Sequence, residues 1–195
     1  MNLELPNPKY KGEMSLEESI YKRKSVRKFS NEEIEKEKIS QLLWAAQGKN
    51  LYKKTIPSAG AIYPLEIYAF LKRYGLYFYD YKNNTLILKI KEEKEENLLK
   101  KLAKFALNQD FIYDAPLSVI ICVNLPKIIR GYGKRGKRYA FIEVVHSAQN
   151  IHLTAVTLGL GSVPVGAFQD QSVKNLLQLP ENLKPIYIIP IGYLK

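Results

Sequence analysis

Cysteine occurs once in this 195-residue chain, as Cys122, and histidine and methionine occur twice each. One thiol excludes an internal disulfide, and its setting in the apolar run "LSVIICVN" reads as a buried strand position rather than a metal ligand. The two histidines, His146 and His152, stand six apart on one predicted helix, which at about 100° per residue turns them to different faces and excludes a chelating pair. No metal site is expected. Acidic side chains are also scarce: 19 Asp and Glu against 30 Lys and Arg leave a formal charge of +11. Such an excess draws phosphates, nucleic acids or anionic substrates without naming one. No run approaches the ~20 apolar residues of a membrane span and no signal-peptide pattern opens the sequence, so the expectation is a soluble, cytoplasmic protein without membrane contact. Internal repeats and low-complexity tracts are missing too.

What is present suffices for a core. Apolar residues make up 46 % of the chain and charged residues 25 %, the globular range. The length suits one domain spanning 1–195. Ser15 and Glu18 have capping-box spacing and predict a first helix over 15–24 with Leu16 and Ile20 inward. Asn31 then caps a second helix, "EEIEKEKISQLLWAAQG". After the Gly- and Pro-punctuated loop "TIPSAGAIYP", three runs read as strands: "LEIYAFLK", "GLYFYDY" and "TLILKIK", the last two joined by a turn at "KNN". A helix over 93–107, the strand "LSVIICVN", a polar and mobile loop at "RGYGKRGKR", a long central helix over 139–159, a short helix around "QSVKNLLQL" and a final strand "IYIIPIGY" complete the order. Strands grouped in hairpins predict an α+β layered domain with a mixed or antiparallel sheet.

Several motifs reduce to ordinary structure. "GLGSVPVG" follows a helix, whereas a dinucleotide-binding turn must follow a strand and open a helix, so Gly159 reads as a helix terminator and residues 164–167 as an extended stretch. No nucleophile elbow or Ser-His-Asp order supports covalent hydrolysis. The basic stretch 130–138 could track a phosphate backbone, but no nucleic-acid module accompanies it and a solvated lid explains it equally, so nucleic acid is disfavoured as a partner. "RKSVRKF" reads as cations at the negative end of a helix or as a site for one anion.

Four stretches in order, "RKSVRKF", "PSAGAIYPLEIY", "NQDFIYDAP" and "HSAQNIHLTAVTLGLGSVPVGAF", followed by "PIYIIPIGY", resemble the flavin-dependent nitroreductase superfamily, most closely its SagB-type dehydrogenase branch. The resemblance implies a nitroreductase-like three-layer α/β/α sandwich with a mainly antiparallel sheet, forming a homodimer with FMN at the subunit interface. It assigns Arg23 and Ser25 to the flavin phosphate, Lys24 to backbone and ribityl contacts, and Arg27 to the ring edge where a cation stabilises reduced flavin. It further places Pro57, Ser58, Ala59 and Gly60 against the flavin of the partner subunit, and Asn108 and Gln109 at the pyrimidine edge. Pro164, Val165 and Gly166 would lie along the ring, a backbone N–H at Gly166 serving the reacting edge in place of the acidic side chain of some members. Lys195 stands where the family has basic residues near the phosphate. Tyr132 takes the place of the tyrosine in a Lys-Tyr pair of azoline oxidases, with Gly131 where the lysine would be. The implied activity is an FMN-dependent oxidoreductase driven by NAD(P)H and acting on an electron-poor small-molecule substrate. A dehydrogenase oxidising a ring in a peptide or metabolite, and a basic binding protein without catalysis, are the alternatives.

Overall fold

The computed structural model describes residues 2–92 and 97–195. Among these, seven strands form one sheet in the order β1-β4-β3-β2-β5-β7-β6, every neighbouring pair antiparallel. They are β1 (Leu3–Glu4), β2 (Leu65–Leu71), β3 (Gly75–Asp80), β4 (Thr85–Lys91), β5 (Leu117–Asn124), β6 (Leu160–Ser162) and β7 (Leu183–Tyr193). The helices are α1 (Leu16–Lys22), α2 (Lys36–Gln47), α3 (Leu98–Phe105), α4 (Phe111–Asp114), α5 (Leu125–Tyr132), α6 (Gly136–Thr157) and α7 (Asp170–Leu176).

Strand alternation sorts the core into two layers. In β2, Leu65, Ile67, Ala69 and Leu71 pack with Val119, Ile121 and Val123 of β5 against α2 and α6. The intervening Tyr68, Phe70, Ile120 and Cys122 face α3 and α7 with Leu102 and Val173. A period of two in strands covered on both sides yields this arrangement, and it explains why β5 is apolar almost throughout. The result is an α/β/α sandwich. Cys122 is buried, and burial pushes its thiol well above the ordinary range, which keeps it an inert packing residue. Truncating a fully buried member such as Leu42 or Ile120 to alanine would cost roughly 2–5 kcal/mol.

Three expectations need correction, and one falls partly outside the described residues. The second helix begins at Lys36, not beside Asn31. Ile34 is drawn into the core, and the Glu35 carboxylate accepts from the Tyr193 hydroxyl, so 31–35 stays outside the helix. The stretch 130–138 is not a loop. Asn124 Oδ1 accepts from the Lys127 N–H at 3.2 Å, Pro126 occupies the first turn, and Ile128 is fully buried, so α5 forms and runs through a 3-10 turn into α6. Leu16 and Ile20 point outward at 61 % and 55 % exposure, and Ser19 is the residue of α1 that is buried. The helix predicted from 93 is seen from Leu98, and its positions 93–96 lie outside the described residues. The short strands β1 and β6 carry too few residues to show alternation. Gly159 follows α6 at φ 73°, the left-handed conformation expected of a terminator.

Candidate functional site

Arg23 leaves α1 in an extended conformation, and the next residues are caught by the sheet. Ser25 bridges Ser162, the Val26 N–H donates to the Ser162 carbonyl at 3.0 Å, and Phe29 bridges Leu194. The buried Phe29 ring, packed with Ala115 and Val163, anchors the segment while Arg23, Lys24, Ser25 and Arg27 remain exposed. Arg27 lies 5.9 Å from the centroid of the Phe111 ring. Among the described residues none of Arg23, Lys24 and Arg27 makes an ion pair, and the Ser25 hydroxyl makes no hydrogen bond. Cations without counter-ions beside a free hydroxyl form a donor set open to an anion.

Residues 162–167 run along the same edge. The Val165 N–H donates to Ile188 O at 2.8 Å and the Ile188 N–H returns the bond at 3.0 Å, which buries Val165 and turns Pro164 and Gly166 outward. The Gly166 N–H has no acceptor among the described residues, and a Cβ there would stand 3.2 Å from the Tyr187 ring. Gln109 joins this edge through Nε2, which donates to Ala167 O at 3.1 Å and Ala106 O at 2.8 Å. Those bonds occupy its amide N–H groups and leave Oε1 as the free atom. Asn108 is exposed in a left-handed conformation, φ 59°. The Lys195 N–H reaches Lys28 O at 3.4 Å, placing the last residue beside the cationic segment. Behind this edge His152 of α6 is buried, its Nδ1 2.7 Å from Ser162 Oγ and its Nε2 without a partner. Burial first, then Arg23, hold its pKa down to about 4, so the ring is neutral at neutral pH.

Pro57, Ser58, Ala59, Gly60 and Tyr132 form a second neighbourhood. Gly60, Ala61 and Tyr63 all have positive φ (57°, 54° and 51°). That tight turn is held by the Tyr63 N–H donating to Ser58 Oγ at 2.8 Å and by Lys127 Nζ donating to Tyr63 O at 3.0 Å. Tyr132, 38 % exposed, packs edge-on against Tyr139 at 5.1 Å, and its hydroxyl lies where a Cβ on Gly60 would approach to 2.8 Å. Under the turn are Glu143 of α6 and Lys54. Glu143 and His152 are nine residues apart on α6, which at 1.5 Å per residue separates the backs of the two neighbourhoods by about 14 Å.

The family model described as the nitroreductase family matches residues 20–193. This chain belongs to the nitroreductase family. A protein of Methanocaldococcus jannaschii, provisionally named a nitroreductase, is 38 % identical over 199 residues that take in 98 % of this chain and 96 % of that one. A crystal structure from Ralstonia eutropha, given the same provisional name, superposes with a TM-score of 0.87 at 27 % identity, covering 100 % of this chain and 90 % of the other. The NADPH:FMN oxidoreductase of Vibrio harveyi, solved with NAD+, shares the fold at a TM-score of 0.68 and 20 % identity, covering 92 % of this chain and 69 % of its own.

In this member of the family the residues singled out by sequence thus fall into two groups on one chain. Sequence reasoning missed Lys54, Lys127, Phe111 and Glu143, and treated His152 as ordinary. Glu143 had a readable signal, since it stands between Ala140 and Ser147 on the face of α6 that is otherwise apolar or small. Lys54 and Lys127 had none; only the turn of the chain around Tyr63 gives them a common neighbour.

Proposed function

We propose that the protein is an FMN-dependent oxidoreductase acting as a homodimer, with NAD(P)H as donor and an electron-poor small molecule as acceptor. The observation that carries this reading is the edge formed by segments 23–27 and 162–167, where three unpaired cations, a free serine hydroxyl and a free backbone N–H stand together. The donor set fits a phosphorylated flavin. Arg23 and Ser25 would hold the phosphate by charge-assisted hydrogen bonds, with Lys24 and Lys195 adding positive charge beside them. Arg27, held near Phe111, would favour the negative charge of a reduced ring, and the Gly166 N–H would donate to the ring's reacting edge. Asn108 and the free Oε1 of Gln109 would serve the pyrimidine edge. A bound flavin supplies the two-electron chemistry, receiving hydride from a nicotinamide and giving it to an acceptor. The family membership and the NADPH:FMN oxidoreductase of the same fold support that choice of cofactor and donor.

Two neighbourhoods on one chain, about 14 Å apart, support a two-chain site. Leu16 and Ile20 of α1 and Ile142 and Val145 of α6, which packs beside α1, are all exposed apolar residues. Exposed apolar residues on two neighbouring helices suit burial against a second copy. That association would bring Pro57 to Gly60 of one subunit to the cationic edge of the other.

A second reading, ring oxidation by a SagB-type dehydrogenase, draws on Tyr132 and Lys54 at the same turn. Burial first, then Lys127, lower the Lys54 pKa to about 8, which brings it closer to the range of a general base.

The deciding experiment is the visible spectrum of the purified protein before and after anaerobic NADPH, with the released chromophore identified by mass. Yellow protein that carries FMN and bleaches is the expected result. Yellow protein that stays oxidised moves the assignment to the dehydrogenase, and colourless protein that takes up no FMN removes both.

A further inference from the structure

Glu143 is 2 % exposed, and neither of its carboxyl oxygens completes a hydrogen bond. A buried acid without partners keeps its full desolvation penalty, so its presence asks for a reason beyond packing. Its surroundings are specific. From α6 it meets the Ser58 side chain, and Lys54 and Lys127 are the cations whose fields reach it. Lys54 in turn feels Lys127, Glu143, Lys82 in the turn after β3 and Glu66 on β2. Its ammonium lies 3.7 Å from the Tyr81 ring centroid and 5.0 Å from that of Tyr63. Among the described residues no carboxylate makes an ion pair with Lys54.

The turn above this pair is strained, because Ala61 and Tyr63 occupy a region that side chains with a Cβ rarely adopt. Ser58 is its hub. The Ser58 carbonyl accepts from the Ala61 N–H at 3.0 Å, and its Oγ accepts from the Tyr63 N–H at 2.8 Å. With Oγ used as acceptor, the hydroxyl hydrogen is left to donate, and the acid beside it is Glu143.

We propose that buried Glu143 and half-buried Lys54 form an acid–base pair that positions the turn 57–60 through Ser58, and so sets how firmly the site holds a flavin. Glu143 is then a positioning residue. The inference rests on the reading above, in which this turn covers the flavin of the partner subunit. Burial pushes Glu143 up to about 7 and Lys54 down to about 8. Below that interval the carboxyl is neutral, a weak acceptor for Ser58, and the half-buried ammonium lacks its counter-charge. Inside it both are charged and each compensates the other. Above it the carboxylate alone remains charged. The turn is best held between the two limits.

The test is the affinity for riboflavin between pH 5.5 and 9.5, read by fluorescence quenching, for the wild type, Glu143→Gln, Lys54→Met and Ser58→Ala. Riboflavin has no phosphate to titrate in this range, and FMN serves as the parallel probe at pH 7.5. The expected wild-type profile is a bell with limbs near 7 and 8, falling about tenfold on each side, the worth of one hydrogen bond to a charged group. Glu143→Gln removes the acid limb, Lys54→Met the alkaline limb, and Ser58→Ala flattens both. An acid limb that survives in Glu143→Gln, with FMN still bound, overturns the inference and assigns that limb to another group such as Glu66. A melting temperature shifted by Glu143→Gln with no change in the affinity profile also overturns it, because a merely structural residue behaves so. Wild-type protein that binds neither flavin at any pH overturns the underlying flavin assignment and the inference with it.

Discussion

The two ends of α6 handle charge in opposite ways. At the His152 end the cations Arg23, Lys24 and Arg27 are in solvent, unpaired, and the titratable group behind them is held neutral by burial. At the Glu143 end the acid is buried and Lys54 is half-buried, and a strained turn sits over them. The first end is cheap to maintain, because exposed Lys and Arg stay hydrated and the segment is pinned by backbone bonds to β6 and β7. The second end costs stability, because an acid and an ammonium have left water without direct contact. An open donor set suits capture of an external anion, and a buried pair suits control of the chain that covers it. Neither end alone makes a complete site.

The sharpest way to break this comparison is to keep two chains apart. Ile142→Glu with Val145→Glu puts like charges at the exposed face of α6. Light scattering should then give a monomer, and FMN affinity should fall by roughly 100-fold or more if both ends of α6 must meet across subunits. A monomer that retains wild-type affinity would place the whole site within one chain.

Opposite pH slopes of stability come next. Glu143 keeps its proton in the folded state up to about 7 against an ordinary value of 4.5, so its contribution is full below 4.5 and is lost as pH rises to 7. His152 resists protonation down to about 4 against 6.5, so its contribution is full above 6.5 and is lost as pH falls to 4. Each effect is about 3 kcal/mol. Between 4.5 and 6.5 they oppose, and the wild-type melting temperature should vary little there on their account. In Glu143→Gln it should climb with pH over that interval, and in His152→Gln it should decline. Melting curves for both variants that are as flat as the wild type would contradict the two assigned shifts.

Arg23→Ala should weaken FMN binding by about 10- to 100-fold, the loss of one hydrogen bond between charged groups, and leave riboflavin binding unchanged. An equal loss for both ligands would move Arg23 from the phosphate to the ring. Lys195→Ala should have the smallest effect, about two- to threefold on FMN affinity, since an exposed lysine near a phosphate acts as a screened point charge. A calorimetric titration resolves it, and a tenfold loss would mean direct contact.

Much of the fold was legible along the chain. β5 emerges with the bounds of "LSVIICVN", and the hairpins of β2, β3 and β4 follow their apolar runs and turn residues, because these signals are local. The start of α2 and the helical character of 130–138 were not legible. Ile34 in the core, the Glu35 bond to Tyr193 and the burial of Ile128 are contacts between distant parts of the sequence, and they outweigh local cap and loop propensities. The direction of α1 followed the same rule: Leu16 and Ile20 have a helical apolar spacing that predicts an inward face, but the contacts of Ser19 turn that face outward.

The sequence by itself determined the layered α+β class and the cationic segment, because each is carried by contiguous residues whose spacing has a physical meaning, and four motifs in order carried the resemblance to the family. Only the tertiary structure decided that Tyr132 stands beside Gly60, that Val165 is pinned so that Gly166 faces outward, and that Glu143 and Lys54 lie under one turn. These depend on which segments the antiparallel sheet and the length of α6 bring side by side; residues 54, 58 and 127 carry no periodic mark, and the helical spacing that marks 143 does not join it to them before the chain folds.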